Sequence, residues 1–335
     1  MKPLLNFLPC LLIAISSVLT VSAQVTKLET VGITVSDMNR SVRFYREVLG
    51  FTRISDQEYK GEPYENLEGI FGLNIRVVKM QLGNEIIELT DYLTSGGRPI
   101  DPSTRPNDLS FQHLAIVVSD MDKAYAHLKK YNVEHVSTSP QTLPITILPA
   151  AGIKAFYFHD PDNHTLELIF FPKGKGLPKW QESGGRVFLG IDHTAIGVSN
   201  TENSLRLYRD ILGVTRKGES YNSGSEQAHL NNVEGASLHI TGLRSPSGPG
   251  IEFLQYLQPG PGRPYPADTR ADDIWYWQTS LVVKGIEPLF KRLKEAGYRF
   301  VSKGLVEFRV RNQVTGKAFI VRDADGHALL IKEYF

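Results

Sequence analysis

The feature that most constrains this chain is an internal repeat, because one short pattern occurs four times in 335 residues. Each copy is a short apolar run, and in the first three copies it ends in polar residues of the kind that begin helices. The four copies are residues 29–37, 112–120, 192–200 and 277–285. Apolar residues at helical spacing follow each copy, and alternating runs typical of antiparallel strands follow the helices. The sequence therefore predicts four βαβββ units and an α+β fold.

The four units also form a longer repeat. A pattern within residues 97–113 returns 165 residues later, within residues 262–278. We therefore predict two similar domains, residues 27–171 and residues 189–335, each made of two consecutive units. The segment 172–188, rich in Gly, Pro and Lys near its start, is the predicted linker.

The first strand of each unit has one bulky face and one face made mostly of small residues. In the first unit, Val31 and Ile33 lie on the bulky face, and Thr30 and Gly32 lie on the other. The bulky face is suited to packing against a helix. Because small side chains leave space beside a sheet, we expect the second face to line a cleft.

Residues 1–23 predict a signal peptide rather than part of the fold. Lys2 precedes an apolar run, and Val21-Ser22-Ala23 offers small residues where a signal peptidase cleaves. An uncleaved membrane anchor is the alternative. We expect an exported protein, periplasmic or extracellular, without stable membrane association after cleavage. Cys10 is the only cysteine, so no disulfide would support the mature fold.

The charge balance argues against one class of partner. The chain has 37 Lys and Arg against 36 Asp and Glu, without a basic run. Nucleic acid is therefore not an expected partner. A small molecule is expected instead, and the chain should be a monomer or a homodimer.

Three features together resemble the vicinal oxygen chelate (VOC) superfamily of glyoxalases, bleomycin-resistance proteins and extradiol dioxygenases. They are the tandem βαβββ units, a His or Gln on the first strand of a unit, and a Glu on its last strand. The most specific motif is the strand–turn–strand segment at residues 156–168, which contains Glu167. The resemblance covers residues 27–171 and 189–335. It implies two domains whose cupped mixed sheets surround a cleft for a divalent metal ion.

The resemblance also implies four metal-ligand positions in each domain. These positions are Thr30, Glu88, His113 and Glu167 in the first domain, and His193, Glu252, Gln278 and Leu330 in the second. Thr30 is a poor ligand and Leu330 cannot be one, which leaves six expected ligands. The first domain is expected to be the stronger site, because its two carboxylates would neutralise a divalent ion.

The sequence favours an enzyme that depends on a divalent metal (Fe, Mn, Ni or Zn) and acts on vicinal oxygens of a small substrate. Glu88 or Glu167 is the expected general base. A glyoxalase-like lyase or isomerase is favoured over an extradiol dioxygenase, because neither predicted domain contains the two histidines and one glutamate of such a site. The alternative is a protein that binds an antibiotic or aromatic metabolite without catalysis.

Other polar residues have two interpretations. The arginines that recur in the longer repeat are Arg98, Arg105, Arg263 and Arg270. They can clamp a substrate carboxylate or phosphate, or they can hold a Pro-rich loop through Asp108 and Asp273. Three histidines beside turns, namely His159, His164 and His327, are interpreted as surface residues.

Overall fold

The computed structural model describes residues 24–311 and 313–335, so the predicted signal peptide lies outside the described residues. The first unit contains β1 (Gln24–Thr34), α1 (Met38–Glu47), β2 (Thr52–Lys60), α2 (Glu62–Glu68), β3 (Asn74–Leu82) and β4 (Glu85–Tyr92). The second contains β5 (Phe111–Val118), α3 (Met121–Lys130), β6 (Gln141–Thr142), β7 (Lys154–His159) and β8 (Thr165–Phe170). Short 3₁₀ helices occur at Leu148–Ala150 and Pro178–Gln181.

The second half of the chain repeats this order. The third unit contains β9 (Phe188–Gly197), α4 (Thr201–Leu205), β10 (Thr215–Asn222), α5 (Ser225–Asn231), β11 (Ser237–Arg244) and β12 (Gly250–Gln258). A π-helical segment, Arg206–Ile211, extends α4. The fourth unit contains β13 (Trp277–Lys284), α6 (Ile286–Glu295), β14 (Val306–Val310), β15 (Gln313–Arg322) and β16 (Ala328–Tyr334). The α+β fold of four βαβββ units is therefore confirmed.

The helices after the first three repeats begin where the sequence predicts. Asp37, Asp120 and Asn200 cap α1, α3 and α4, and each accepts a hydrogen bond at 3.0 Å from the main-chain N–H three residues later. Each cap satisfies a donor that the first helical turn leaves without an internal partner. Among the described residues, no helix is long and apolar enough to cross a membrane.

Two eight-stranded sheets form the framework, and their composition corrects the expected pairing of units. Sheet I has the order β14-β15-β16-β13-β1-β4-β3-β2, and sheet II has the order β10-β11-β12-β9-β5-β8-β7-β6. Sheet I therefore joins the first and fourth units, and sheet II joins the second and third. Each sheet takes one unit from residues 27–171 and one from residues 189–335, so neither predicted segment forms a sheet by itself.

In each sheet, the two units are connected by pairing of their first strands. β1 pairs antiparallel with β13 in sheet I, and β5 pairs antiparallel with β9 in sheet II. Their bulky faces share one apolar core, which contains Ile33 and Leu281 from sheet I together with Ile116 and Ile196 from sheet II. The small faces point away from this core, as the alternation in the sequence predicts.

Two loops cross between the sheets, one from β4 to β5 and the other from β12 to β13. Arg98 in the first loop donates to Asp273 in the second at 2.9 and 2.7 Å. Arg263 in the second loop donates to Asp108 in the first at 3.1 and 2.8 Å. These two guanidinium groups therefore hold the loops to each other, which is the loop-holding alternative of the sequence analysis.

The other two recurring arginines lie in the same loops. The main-chain N–H of Arg105 donates to Asp108 at 2.9 Å, and that of Arg270 donates to Asp273 at 2.8 Å. The Arg270 side chain donates to Asp272 at 2.7 Å. Arg105 lines a cavity of about 580 Å³ beside the crossing loops.

The interpretation of His164 and His327 as surface residues is wrong, because both are buried. His164 lies 2.9 Å from Asp160 through Nδ1 and 2.6 Å from the main-chain oxygen of Ile274 through Nε2. His327 lies 2.8 Å from the main-chain oxygen of Gly197. Each histidine joins a turn of one sheet to a strand or loop of the other, which a local turn pattern cannot predict.

Candidate metal centre

Four of the predicted ligands lie on four adjacent central strands of sheet II. His193 is on β9, His113 on β5, Glu252 on β12 and Glu167 on β8. The strand order β12-β9-β5-β8 places them side by side. The small face predicted from the sequence gives these longer side chains the space to converge.

The atoms of these side chains that could bind a metal ion lie close to one another. Glu167 Oε2 lies 3.3 Å from His113 Nε2 and 3.5 Å from His193 Nε2. His193 Nε2 also lies 3.3 Å from Glu252 Oε2. His113, Glu167 and His193 each offer one ligand atom, and these atoms lie within 4.8 Å of one another. Among residues 24–311 and 313–335, this is the group of three such side chains that can hold a metal ion.

The buried polar atoms of this cluster fit a metal ion. His113 Nε2, Glu167 Oε2 and His193 Nε2 are buried without a hydrogen-bond partner. Burying polar atoms unpaired is costly, and coordination to a cation removes that cost. Burial lowers the pKa of His193, but Glu252, Asp192 and Glu167 outweigh it and raise this pKa to about 9. The cluster thus attracts positive charge, and two imidazoles with two carboxylates suit a divalent ion.

Contacts behind the cluster orient His193, and they were not among the expectations from the sequence. Asp192 Oδ2 lies 3.0 Å from His193 Nδ1, so Nδ1–H donates and Nε2 is left to face the cluster. Asp192 in turn accepts from Arg244 at 2.7 Å and from Trp180 at 2.7 Å. The charged neighbours hold the pKa of the Asp192 carboxyl well below its usual range, although burial acts in the opposite direction. The available signal in the sequence was the Asp directly before a predicted ligand.

Asp192→Asn should lower the metal affinity of the protein by about 10- to 100-fold, which is the usual cost of losing such a supporting contact. An amide cannot match the carboxylate that holds His193 Nδ1–H and the Arg244 guanidinium. Competition with a chelator of known affinity measures the change. Unchanged affinity in a folded variant would show that Asp192 does not support the metal site.

Glu88 and Gln278 do not join this cluster, which corrects both predicted ligand sets. Both residues lie on sheet I, Glu88 on β4 and Gln278 on β13. The set predicted in the first segment is therefore divided between two sheets, and so is the set in the second segment. The reason is the pairing of units. β5 and β8 lie in the same sheet as β9 and β12, whereas β1 and β4 lie in the other sheet.

Strand register identifies the corresponding positions in sheet I. In sheet II, Ala195 pairs with both His113 and Glu252; in sheet I, Gly32 pairs with both Gln278 and Glu88. By the same comparison Thr30 corresponds to His193, and Leu330 corresponds to Glu167. Sheet I therefore lacks one carboxylate and both imidazoles at the positions where sheet II has them.

A lysine and apolar side chains replace the cluster in sheet I. Lys79 Nζ lies 3.0 Å from Glu88 Oε1, and the position corresponding to Lys79 in sheet II is Gly242. Leu330 belongs to an apolar cluster that includes Tyr92 and Tyr276. An ammonium group thus neutralises Glu88 directly, and we expect no metal on this sheet.

A cavity of about 290 Å³ opens beside the metal-ligand cluster on sheet II. Its walls include His113, Glu167, His193 and Glu252 together with mostly apolar residues. Residues of the predicted linker, including Lys175 and Leu177, also line it. This linker segment therefore belongs to the site. Among the described residues, the larger cavity beside the crossing loops contains no comparable group of metal ligands, so we assign the candidate site to the smaller one.

Comparison with known proteins identifies the family of this fold. Residues 27–168 and 190–331 each match the Glyoxalase/Bleomycin resistance protein/Dioxygenase superfamily. The chain belongs to this superfamily. The resemblance inferred from the repeats and from the motif at residues 156–168 is therefore confirmed.

Relatives in the superfamily include characterised and uncharacterised proteins. An uncharacterised protein of Escherichia coli, YaeR, is 31% identical over 138 residues, covering 41% of this chain and 91% of YaeR. A 2-epi-5-epi-valiolone epimerase of an Actinomyces species is 32% identical over 149 residues, covering 43% of this chain and 79% of that enzyme. A mutant of glyoxalase I from Zea mays has a similar fold, with a TM-score of 0.61, 16% sequence identity, and coverage of 93% of this chain and 94% of that chain.

Proposed function

We propose that this protein is a divalent-metal-dependent enzyme with one active site, on sheet II, and that it moves a proton on a carbon next to a carbonyl group. Isomerases, epimerases and some lyases use this chemistry. The observation that carries the proposal is the convergence of His113, Glu167, His193 and Glu252. Three of these side chains have a buried nitrogen or oxygen atom without a hydrogen-bond partner. The epimerase and glyoxalase among the similar proteins support an enzyme of this class.

The metal, when bound, would supply a Lewis acid that polarises a substrate oxygen. The four side chains would hold it, and their two negative charges balance its two positive charges. Glu252 is the candidate general base because its side chain is 30% exposed, against 5% for Glu167. Glu252 Oε2 faces the cluster, so its other carboxylate oxygen is the atom that can accept a substrate proton and return it to carbon. Glu88, the other expected base, cannot act at this site, since it lies on the other sheet and is bound to Lys79.

Ligand type does not by itself exclude a ring-cleaving dioxygenase. The two histidines were expected in different domains, whereas His113 and His193 both lie beside Glu167. Two histidines and one carboxylate are the ligands of many non-haem iron oxygenases. Glu252 supports the proton-transfer proposal instead, because a fourth protein ligand leaves fewer coordination positions for both substrate and oxygen.

Export of the protein is part of this proposal. It depends on the signal-peptide pattern of residues 1–23. Expression of the full chain in a bacterial host, followed by N-terminal sequencing, tests it directly. A mature N-terminus at Gln24 in the envelope or medium supports export, and an intact N-terminus in the cytoplasm contradicts it.

The test of the enzymatic proposal uses residues 24–335, purified without a metal-chelating resin. Metal content is measured by mass spectrometry, and the enzyme is incubated in D₂O with a set of α-hydroxy ketones and α-hydroxy aldehydes. We expect about one equivalent of metal per chain, and deuterium incorporation that stops after chelation and returns with added metal. Absence of bound metal, even after incubation with Mn, Fe, Ni or Zn salts, would contradict the proposal. Oxygen consumption with a catechol would favour the dioxygenase instead.

A further inference from the structure

A chain of side-chain amides lies at one wall of the cavity on sheet II. Asn222, at the end of β10, donates from Nδ2 to Gln227 Oε1 at 2.9 Å. Gln227 donates to Asn231 Oδ1, and Asn231 donates to the hydroxyl oxygen of Tyr256 at 2.8 Å. All four residues are buried. Each amide is oriented by the next, so the chain fixes the direction of the Asn222 amide.

The first amide of this chain has an acceptor without a donor. Asn222 Oδ1 is buried and has no hydrogen-bond partner, and both Asn222 and Gln227 line the cavity. Leaving a buried acceptor unpaired costs about 1–3 kcal/mol. A ligand hydroxyl or N–H at this point would supply the missing donor.

The fold itself does not require amides at the positions of Asn222 and Gln227, as sheet I shows. Strand register places Tyr59 at the position of Asn222, and the helix α2 places Tyr64 at the position of Gln227. The rings of Tyr59 and Tyr64 lie 4.9 Å apart, and Tyr64 lies 5.3 Å from Phe308. The same βαβββ framework is thus built there with packed aromatic rings. Asn222 and Gln227 of sheet II therefore point to a ligand rather than to a need of the fold.

The cations of the cavity are already engaged. Arg244 donates to the main-chain oxygen of Asp192 at 2.8 Å and to its carboxylate at 2.7 Å. Lys175 Nζ donates to the main-chain oxygens of Leu148 and Pro149 at 2.8 and 3.1 Å. No other Lys or Arg of the described chain lines this cavity. The charge of Arg244 is thus paired with the Asp192 carboxylate, and Lys175 donates to two main-chain oxygens rather than to the cavity, which favours an uncharged ligand.

We infer that the substrate is a small uncharged carbonyl compound with a hydroxyl group away from the carbonyl, and that Asn222 Oδ1 accepts a hydrogen bond from this hydroxyl. This inference rests on the proposed function for the carbonyl next to the metal. The amide chain through Gln227 and Asn231 acts as the positioning element for Asn222. The apolar remainder of the wall packs against the carbon skeleton.

The test compares two neutral probes by isothermal titration calorimetry on the metal-loaded protein. One is a cyclohexanone with five hydroxyl groups, and the other is 2-hydroxycyclohexanone, which has one. Wild type should bind the first more tightly. Asn222→Leu should weaken binding of the first by about 3- to 10-fold, the value of one hydrogen bond, and leave the second unchanged. Asn222→Asp keeps an acceptor oxygen and should keep the preference for the polyhydroxylated probe.

Controls separate this inference from the proposed function. Tyr59→Phe changes the corresponding position of sheet I and should alter neither affinity, and metal content is measured for every variant. A polyhydroxylated probe that does not bind, or that binds Asn222→Leu as tightly as wild type, overturns the inference. So does tighter binding of pyruvate than of either neutral probe. If a protein without bound metal shows the expected ratios of probe affinities between wild type and Asn222→Leu, the inference is supported and the proposed metal enzyme is contradicted.

Discussion

Glu167→Ala should remove the bound metal and, with it, metal-dependent proton exchange, whereas Glu88→Ala should change neither. Glu167 Oε2 lies near both His113 Nε2 and His193 Nε2, so this one oxygen joins the cluster. Without it the site would have two imidazoles and a single carboxylate, which would leave a divalent ion with excess charge. We expect metal affinity to fall by at least about 100-fold, more than for loss of a supporting contact.

Glu88→Ala is a matched control because Glu88 corresponds to Glu252 in strand register and lies on the sheet without the cluster. Metal content and deuterium exchange are measured for both variants beside wild type. Equal loss of metal in the two variants would contradict the assignment to sheet II. Loss in Glu88→Ala alone would return the site to the first segment of the sequence.

Gly97→Ala should destabilise the protein by at least about 2 kcal/mol, because the crossing loops leave no space for a methyl group there. A Cβ at Gly97 would lie 1.6 Å from the main-chain oxygen of Asp272. The obstacle is backbone that is held in place by Arg98 and Asp273, so it cannot move aside like a flexible side chain. Urea unfolding monitored by tryptophan fluorescence measures the change.

The neighbouring residue gives the control for this prediction. A Cβ at Gly96 would have no atom within 4 Å, so Gly96→Ala should change stability by no more than about 0.5 kcal/mol. Gly262→Ala tests the other loop, where the Cβ would lie 2.3 Å from Asp108 Oδ1. Equal free energies of unfolding for Gly97→Ala and Gly96→Ala would show that close contact between the loops does not stabilise the protein.

The sequence predicts the units well because their signals are local. Alternation along a strand, an Asp or Asn at a helix start, and helical spacing after it all act within about a dozen residues. The cap at Asp37 and the division of bulky and small faces around Gly32 follow from such patterns. The ligand positions were also visible, since each is a polar residue on a face made of small ones.

The grouping of the ligands was not visible, because it depends on which first strands pair. The four first strands have the same alternation, so any two of them can pair with similar burial of apolar surface. Joining consecutive units, as the order along the chain suggests, separates His113 and Glu167 from His193 and Glu252. The structure brings these four together and leaves Glu88 with Lys79.

The sequence by itself determined the repeat, the four βαβββ units, the superfamily and the ligand positions of this protein. Only the tertiary structure decided that the second and third units share a sheet, that four candidate ligands meet there and that Asp192 orients His193. The physical reason is the distance along the chain over which each kind of interaction acts. Strand and helix patterns are set by neighbours along the chain, whereas the choice among equivalent strands depends on contacts such as Arg98 with Asp273, 175 residues apart.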